Sequence, residues 1–221
     1  MVNASIIVGS TGLVGKMLHT NLIDKNIEVL AITRRPVTQT SEIKNFLQIN
    51  FDSFLKNGKL PLCDHLYICL GTTIKKAGSK KEFRRVDFEY SLAFAKQAKE
   101  SGAKKISLIS SIGANYKSNN FYLKIKGELE KAIEKINFEQ TNIYRPSLII
   151  GSRPESRFLE ELGQKCSFVI NLLLHGPLTN YRSVEVEKLS KCMASPKVSD
   201  GVNYYYFKDF SFTTPSNTYS H

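Results

Sequence analysis

The sequence predicts an α/β fold, three layers built around a doubly wound parallel sheet, and three observations carry that expectation. Through the first 150 residues, short apolar runs alternate with amphipathic stretches of helical period, the pattern of repeated βα units. The strands read as unbroken apolar runs, as parallel strands do when helices cover both faces of a sheet. A glycine-rich turn, Gly9-Ser10-Thr11-Gly12-Leu13-Val14-Gly15, joins the first run, Ile6-Ile7-Val8, to the first helix. A chain of 221 residues suffices for one full core, so a single domain is expected, with residues 151–221 adding a small substrate-side cap.

Ser5 to Gly9 is the expected first strand, followed by a helix from Leu13 to Lys25. Glu28 to Thr33 is the second strand, Gln48 to Phe51 the third, and Leu66 to Leu70 a buried fourth. A helix spans Lys80 to Ser101, with Phe83, Val86, Tyr90, Phe94 and Ala98 on one stripe and Gly102 as its C-cap. Lys105 to Ser110 is the next strand, and Phe121 to Ile136 the next helix. Thr141 to Tyr144 is a strand that stops before Arg145-Pro146, where proline restricts the residue ahead of it. Beyond Gly151 the pattern loosens. Ser156 to Leu174 holds one or two helices, Val184 to Met193 another, and Val202 to Phe207 a short aromatic strand. The polar end, Ser211 to His221, is expected to fray.

Apolar content of 42% and charged content of 23% describe an ordinary soluble protein. No run approaches the roughly 18 apolar residues of a membrane span, and the first residues begin a strand rather than a secretion signal. Cys63, Cys69, Cys166 and Cys192 form no CxxC pair, and His19, His65, His175 and His221 have no ligand spacing with them. No metal is expected, and a reducing cytoplasm fits. The formal charge is +11, and residues 75–85 alone hold Lys75, Lys76, Lys80, Lys81, Arg84 and Arg85, opposed there by Glu82 alone. Such a field attracts phosphates, anionic lipid or nucleic acid. The chain contains no recognised nucleic-acid module, so a solvated basic face or a small anionic ligand accounts for it. The sequence leaves the oligomeric state open.

Gly9 to Gly15 sets a strand, a tight turn and a helix start in the order a dinucleotide pyrophosphate needs. Glycine lets the backbone approach the phosphates, and the free N–H groups of the helix supply donors. Arg34 and Arg35 end the second strand, where an acid would accept hydrogen bonds from an adenosine ribose and an arginine accommodates a 2′-phosphate. NADP is therefore expected over NAD; two exposed arginines closing a strand are the alternative. Asp52 follows the third strand and either accepts from an adenine amino group or forms a turn. Gly71-Thr72-Thr73 lies just past the fourth strand, where the threonines bond a cofactor or cap the following segment.

Tyr122 and Lys126 stand four residues apart, on one face of a helix, one step after Ser110-Ser111 at a strand end. An ammonium beside a phenol favours the phenolate and makes a usable acid–base pair. Ser111, or Ser110 in its place, supplies a hydroxyl for a carbonyl oxygen.

At these residues the chain resembles the atypical branch of the short-chain dehydrogenase/reductase superfamily, in particular the Tat-interacting-protein-like NAD(P)-binding oxidoreductases. The likeness runs from Gly9–Gly15 through Cys69-Leu70-Gly71-Thr72-Thr73 and Phe83-Arg84-Arg85-Val86-Asp87 to Ser110–Ala114, Tyr122, Lys126-Gly127-Glu128 and Tyr144-Arg145-Pro146. It implies a Rossmann domain with Ser111, Tyr122 and Lys126 in the superfamily's serine, tyrosine and lysine roles. It implies NADPH as cofactor. The strand-end serine and the Tyr122/Lys126 pair downstream of a nucleotide turn lead to the expectation of a reductase acting on a small carbonyl compound. Some members of this branch act instead through a protein partner. The asparagine usual in the superfamily has no counterpart legible in the sequence.

Overall fold

The computed structural model describes residues 4–34, 45–151, 176–197 and 199–211. β1 (Ala4–Val8) runs parallel to β2 (Glu28–Thr33) on one side and to β4 (His65–Ile68) on the other. β3 (Phe46–Gln48), β5 (Lys105–Ile109), β6 (Gln140–Tyr144) and β9 (Gly201–Tyr205) complete seven parallel strands in the order β3-β2-β1-β4-β5-β6-β9. The order reverses between β1 and β4, so the crevice beyond their carboxyl ends is where ligands bind in such sheets. β7 (Ile149–Ile150) and β8 (Val184–Glu185) form a separate two-stranded parallel pair.

The side-chain period of two sorts the core into two layers. Ile6 and Val8 face one side with Leu66, Ile68, Ile106 and Leu108. There they meet α5 (Ser91–Glu100) and α6 (Phe121–Glu134) through Phe94, Ala98, Leu129 and Ile133. Ile7 faces the other side with Tyr67 and Tyr144, against Leu18 and Leu22 of α1 (Leu13–Ile23) and Leu189 and Met193 of α7 (Val186–Ala194). α8 (Phe207–Ser211) seals this layer with Phe210, 1% exposed.

Several elements differ from the sequence reading. The third strand ends at Gln48, and Phe51 opens α2 (Phe51–Asn57). Asn50 caps that helix, its Oδ1 accepting the N–H groups of Asp52 and Ser53 at 2.9 and 3.0 Å, while Phe51 and Phe54 pack at helical spacing on Phe94. The helix expected from Lys80 to Ser101 is continuous but holds a π turn, Arg85–Tyr90, between α4 (Lys80–Arg84) and α5. The wider turn rotates the inward stripe, leaving Val86 half-buried and turning Asp87 into the core. Val184 and Glu185 form a strand before α7 begins, and the aromatic strand near residue 202 ends at Tyr205.

The stretch beyond Gly151 supplies sheet as well as cover, because β9 pairs with β6 and α7 packs on α1. Arg145 fixes that edge: its guanidinium grips the Glu130 carboxylate at 3.0 and 2.6 Å, donates to Tyr206 Oη at 3.0 Å and lies 4.4 Å over the Tyr204 ring. The helices expected within 156–174 and the tail from 212 lie outside the described residues. No helix among the described residues is long and apolar enough to cross a membrane.

Candidate functional site

A cavity of about 530 Å³ opens at the carboxyl ends of the central strands. Gly12, Leu13 and Val14 form one wall, Cys69 to Thr73 a second, and Ser110, Ser111, Tyr122 and Lys126 a third, with Pro146 to Gly151 across the mouth. A neighbouring hollow of about 340 Å³ shares Gly12, Cys69 to Thr72 and Lys76 with it and reaches Thr33 and Arg34. A third hollow, about 310 Å³, continues from Arg34 to Asp52 and Tyr90. Together they form a groove from Arg34 to Tyr122.

The glycine turn has a steric reason at two positions. Gly9 has φ of 89°, and a Cβ there would stand 2.7 Å from the Cys69 backbone. A Cβ on Gly15 would stand 2.2 Å from the Gly9 carbonyl oxygen, so α1 seats directly on the turn. Ser10 is buried, its Oγ 3.4 Å from the Ile32 carbonyl, and therefore braces the turn against β2. Thr11 and Gly12 are exposed, and Leu13 and Val14 line the groove at the start of α1. No side chain caps α1, which leaves its first N–H groups directed at the groove. Two buried hydroxyls without a hydrogen-bond partner, Thr33 Oγ1 and Ser110 Oγ, border the groove at opposite ends. A glycine cradle, an uncapped helix start and unmatched hydroxyls fit a dinucleotide.

Arg34 lies exposed on the walls of the second and third hollows; Arg35 falls outside the described residues. Asp52 lines the third hollow while accepting the Tyr90 hydroxyl and the Arg85 guanidinium, the latter at 2.7 Å. Burial and the Asp52 carboxylate push Tyr90 up to about 12. Gly71 and Thr72 line the groove. Thr73 lines it too, and its Oγ1 caps α3 (Ile74–Ala77) by accepting the Lys76 N–H at 3.1 Å.

Tyr122 and Lys126 both face the cavity from α6, the ammonium 5.9 Å from the phenol ring centre. Asn120 caps this helix, its Oδ1 accepting the Leu123 N–H at 3.2 Å, and Tyr122 rests on Phe83 with ring centres 5.6 Å apart. The serine doublet divides: Ser111 is half-buried and donates to the Ile112 carbonyl at 3.3 Å, whereas Ser110 is the buried, unpartnered one.

The sequence reading missed Asp87 as a site residue. Lys126 Nζ lies 2.7 Å from Asp87 Oδ1, both side chains almost wholly buried, and Asp87 Oδ2 accepts the Thr72 N–H at 3.0 Å. Burial opposes the charge on Lys126, but Asp87, Tyr122 and Glu130 outweigh it and hold the ammonium above its ordinary value. The signal available was an acid one residue from an apolar helical stripe. Lys76, counted only within the basic run, lines both larger hollows. Two other members of that run are paired with acids, Arg84 with Glu128 at 2.5 Å and Arg85 with Asp52.

Fold and groove define a doubly wound α/β protein with a dinucleotide-type turn at its switch point. The chain belongs to the NAD dependent epimerase/dehydratase family, whose model matches residues 5–193. It is 36% identical over 172 residues to Protein HTATIP2 of Rattus norvegicus, covering 75% of this chain and 71% of that one. It is 32% identical over 209 residues to a Debaryomyces hansenii protein named FMP52, mitochondrial, with 90% of each chain covered. Among solved structures, the human epimerase family protein SDR39U1 with NADPH superposes with a TM-score of 0.64 at 16% identity, over 92% of this chain and 74% of that one.

Proposed function

We propose that this protein is an NADP-dependent oxidoreductase that reduces the carbonyl group of a small molecule. The observation that carries the reading is the convergence of the uncapped α1 N-terminus, the strand-end serines and the Tyr122/Lys126 pair on one cavity. The α1 N–H groups and Lys76 hold the pyrophosphate, and Gly9 to Gly15 gives it room. Arg34, with Arg35 beside it in sequence, takes the 2′-phosphate, and Asp52 and Tyr90 border the adenine end. When bound, the nicotinamide supplies a hydride to the substrate carbon. Tyr122 delivers a proton to the substrate oxygen, which Ser110 or Ser111 holds by a hydrogen bond. The Lys126 donors that Asp87 leaves free hold the ribose. Unpaired Cys63, Cys69 and Cys192 suit the cytoplasm proposed as its compartment, although the fungal relative's name places that protein in mitochondria.

Calorimetric titration with NADPH and NADH tests the cofactor. NADPH is expected to bind more tightly, and Arg34→Ala to lose about tenfold or more of that affinity. Equal affinity for both nucleotides, unaffected by Arg34→Ala and Arg35→Ala, would sink the NADP assignment. Turnover of a carbonyl panel that survives Tyr122→Phe unchanged would sink the chemistry. NADPH binding without turnover on any carbonyl compound would favour a cofactor-controlled interaction with a protein partner.

A further inference from the structure

Three features of the buried Asp87–Lys126 pair are unusual for a pair that only fills space. Both side chains are close to fully buried, at 0% and 5% exposure, yet the pair borders the groove rather than the centre of the core. Asp87 arrives there through a π turn, which breaks the helical hydrogen-bond register to bring one acid inward. Its second oxygen reaches across to the backbone of the loop after β4, the loop that forms a wall of the cavity.

We propose that Asp87 is the positioning residue of this site: its carboxylate fixes the Lys126 ammonium in the cavity wall and, through the Thr72 N–H, ties the loop after β4 to it. The assignment rests on the cofactor reading above, since Lys126 is the group that would hold the ribose. An ammonium has three donors. One is committed to Asp87, and the others remain for the groove.

The surrounding charges leave Asp87 as the sole dedicated counter-charge among the described residues. On α6, Glu130 stands one turn from Lys126 but is gripped by Arg145 through two hydrogen bonds. Tyr122 lines the same cavity, the ammonium 5.9 Å from its ring centre, and is no carboxylate. The serines after β5 carry no charge, and Lys76, beyond the loop after β4, is another cation. Without Asp87 the desolvation of Lys126 would lose its largest compensating charge, and a buried lysine stripped of its partner sheds its proton more readily. Asp87 thereby sets the pH range over which Lys126 stays charged and the cofactor is held.

The test is Asp87→Asn, which keeps an oxygen for the Thr72 N–H and removes the charge. In protein labelled with 15N-lysine, the Lys126 Nζ resonance, assigned by its loss in Lys126→Met, is followed between about pH 6.5 and 9.5. Wild type is expected to stay protonated throughout, whereas Asp87→Asn loses the ammonium within the range. NADPH calorimetry over the same range reads the consequence: the deficit of Asp87→Asn relative to wild type widens by about tenfold or more towards the alkaline end. A Lys126 that stays charged in Asp87→Asn, or a deficit that does not change with pH, would overturn the proposal. If wild type binds no NADPH, the cofactor reading fails, but the resonance still judges the pair. Should Asp87→Asn not fold, Asp87→Asn with Lys126→Met, which removes both charges, is expected to restore folding; continued failure would assign Asp87 another role.

Discussion

Ser110 and Ser111, a doublet in the sequence, have hydroxyls in two different surroundings. The Ser110 N–H donates to the Tyr144 carbonyl at 2.7 Å, which anchors the residue at the end of β5, and its hydroxyl is buried with no partner. A buried hydroxyl left unpaired costs about 1–3 kcal/mol, so the position calls for a ligand oxygen or nitrogen. Ser111 already spends its hydroxyl on the Ile112 carbonyl. Ser110→Ala is therefore expected to lower kcat/KM for a carbonyl substrate by about tenfold to a hundredfold while leaving NADPH affinity within about threefold. Ser111→Ala should cost less. Steady-state kinetics on both variants decide it, and a larger loss at Ser111 would return the role to that residue.

The strand-turn-helix unit from β1 to α1 is the element on which the groove depends. In Gly15→Ala the new methyl meets the Gly9 carbonyl oxygen at 2.2 Å and the Ser10 Cα at 2.9 Å, all backbone that has no rotamer to yield. α1 must then shift, at a cost of about 1–3 kcal/mol, and its first N–H groups leave their alignment. A fall of several degrees in melting temperature is expected together with loss of NADPH binding in calorimetry; retained affinity would show that the turn tolerates the shift. This unit was legible in sequence because glycine spacing and apolar period both report local geometry. The same holds for β2, β4, β5 and the pairing of Tyr122 with Lys126 along α6. The third strand was misplaced because Ile49 and Phe51 read as apolar strand, while the Asn50 cap and the Phe51/Phe54 spacing favour a helix. Asp87 was not legible as part of the site. Its inward orientation comes from a π turn, and a regular helical period puts Val86 on the buried stripe instead.

Across the whole sheet, the core carries one polar row that ties its folding to pH. His65 on β4 contacts Ser107 Oγ on β5 at 2.9 Å, Asn142 on β6 donates to the same oxygen at 3.4 Å, and Tyr205 on β9 donates to Asn142 Oδ1 at 3.3 Å. Four strands from two distant stretches of the chain thus meet through groups that cannot turn to water. His65 is buried and stacked on Tyr67, with ring centres 3.9 Å apart. Burial, with Lys105 adding its positive charge, pushes its imidazole down to about 3 from the ordinary 6.5. His19 is lowered by burial as well and acts in the same direction. Between those two values the unfolded chain binds a proton at His65 and the folded chain does not, so stability falls as pH drops below about 6.5 and continues to fall towards 3. From neutrality to pH 5 the loss from His65 alone amounts to about 2 kcal/mol. His65→Gln keeps a polar group beside Ser107 and removes the titration. Urea unfolding at pH 7 and pH 5 is expected to show a drop in wild-type stability that His65→Gln reduces by about that amount, even if the variant is less stable at pH 7. An equal drop in both proteins would mean that the acid sensitivity of the sheet lies elsewhere, with His19 next to be tested.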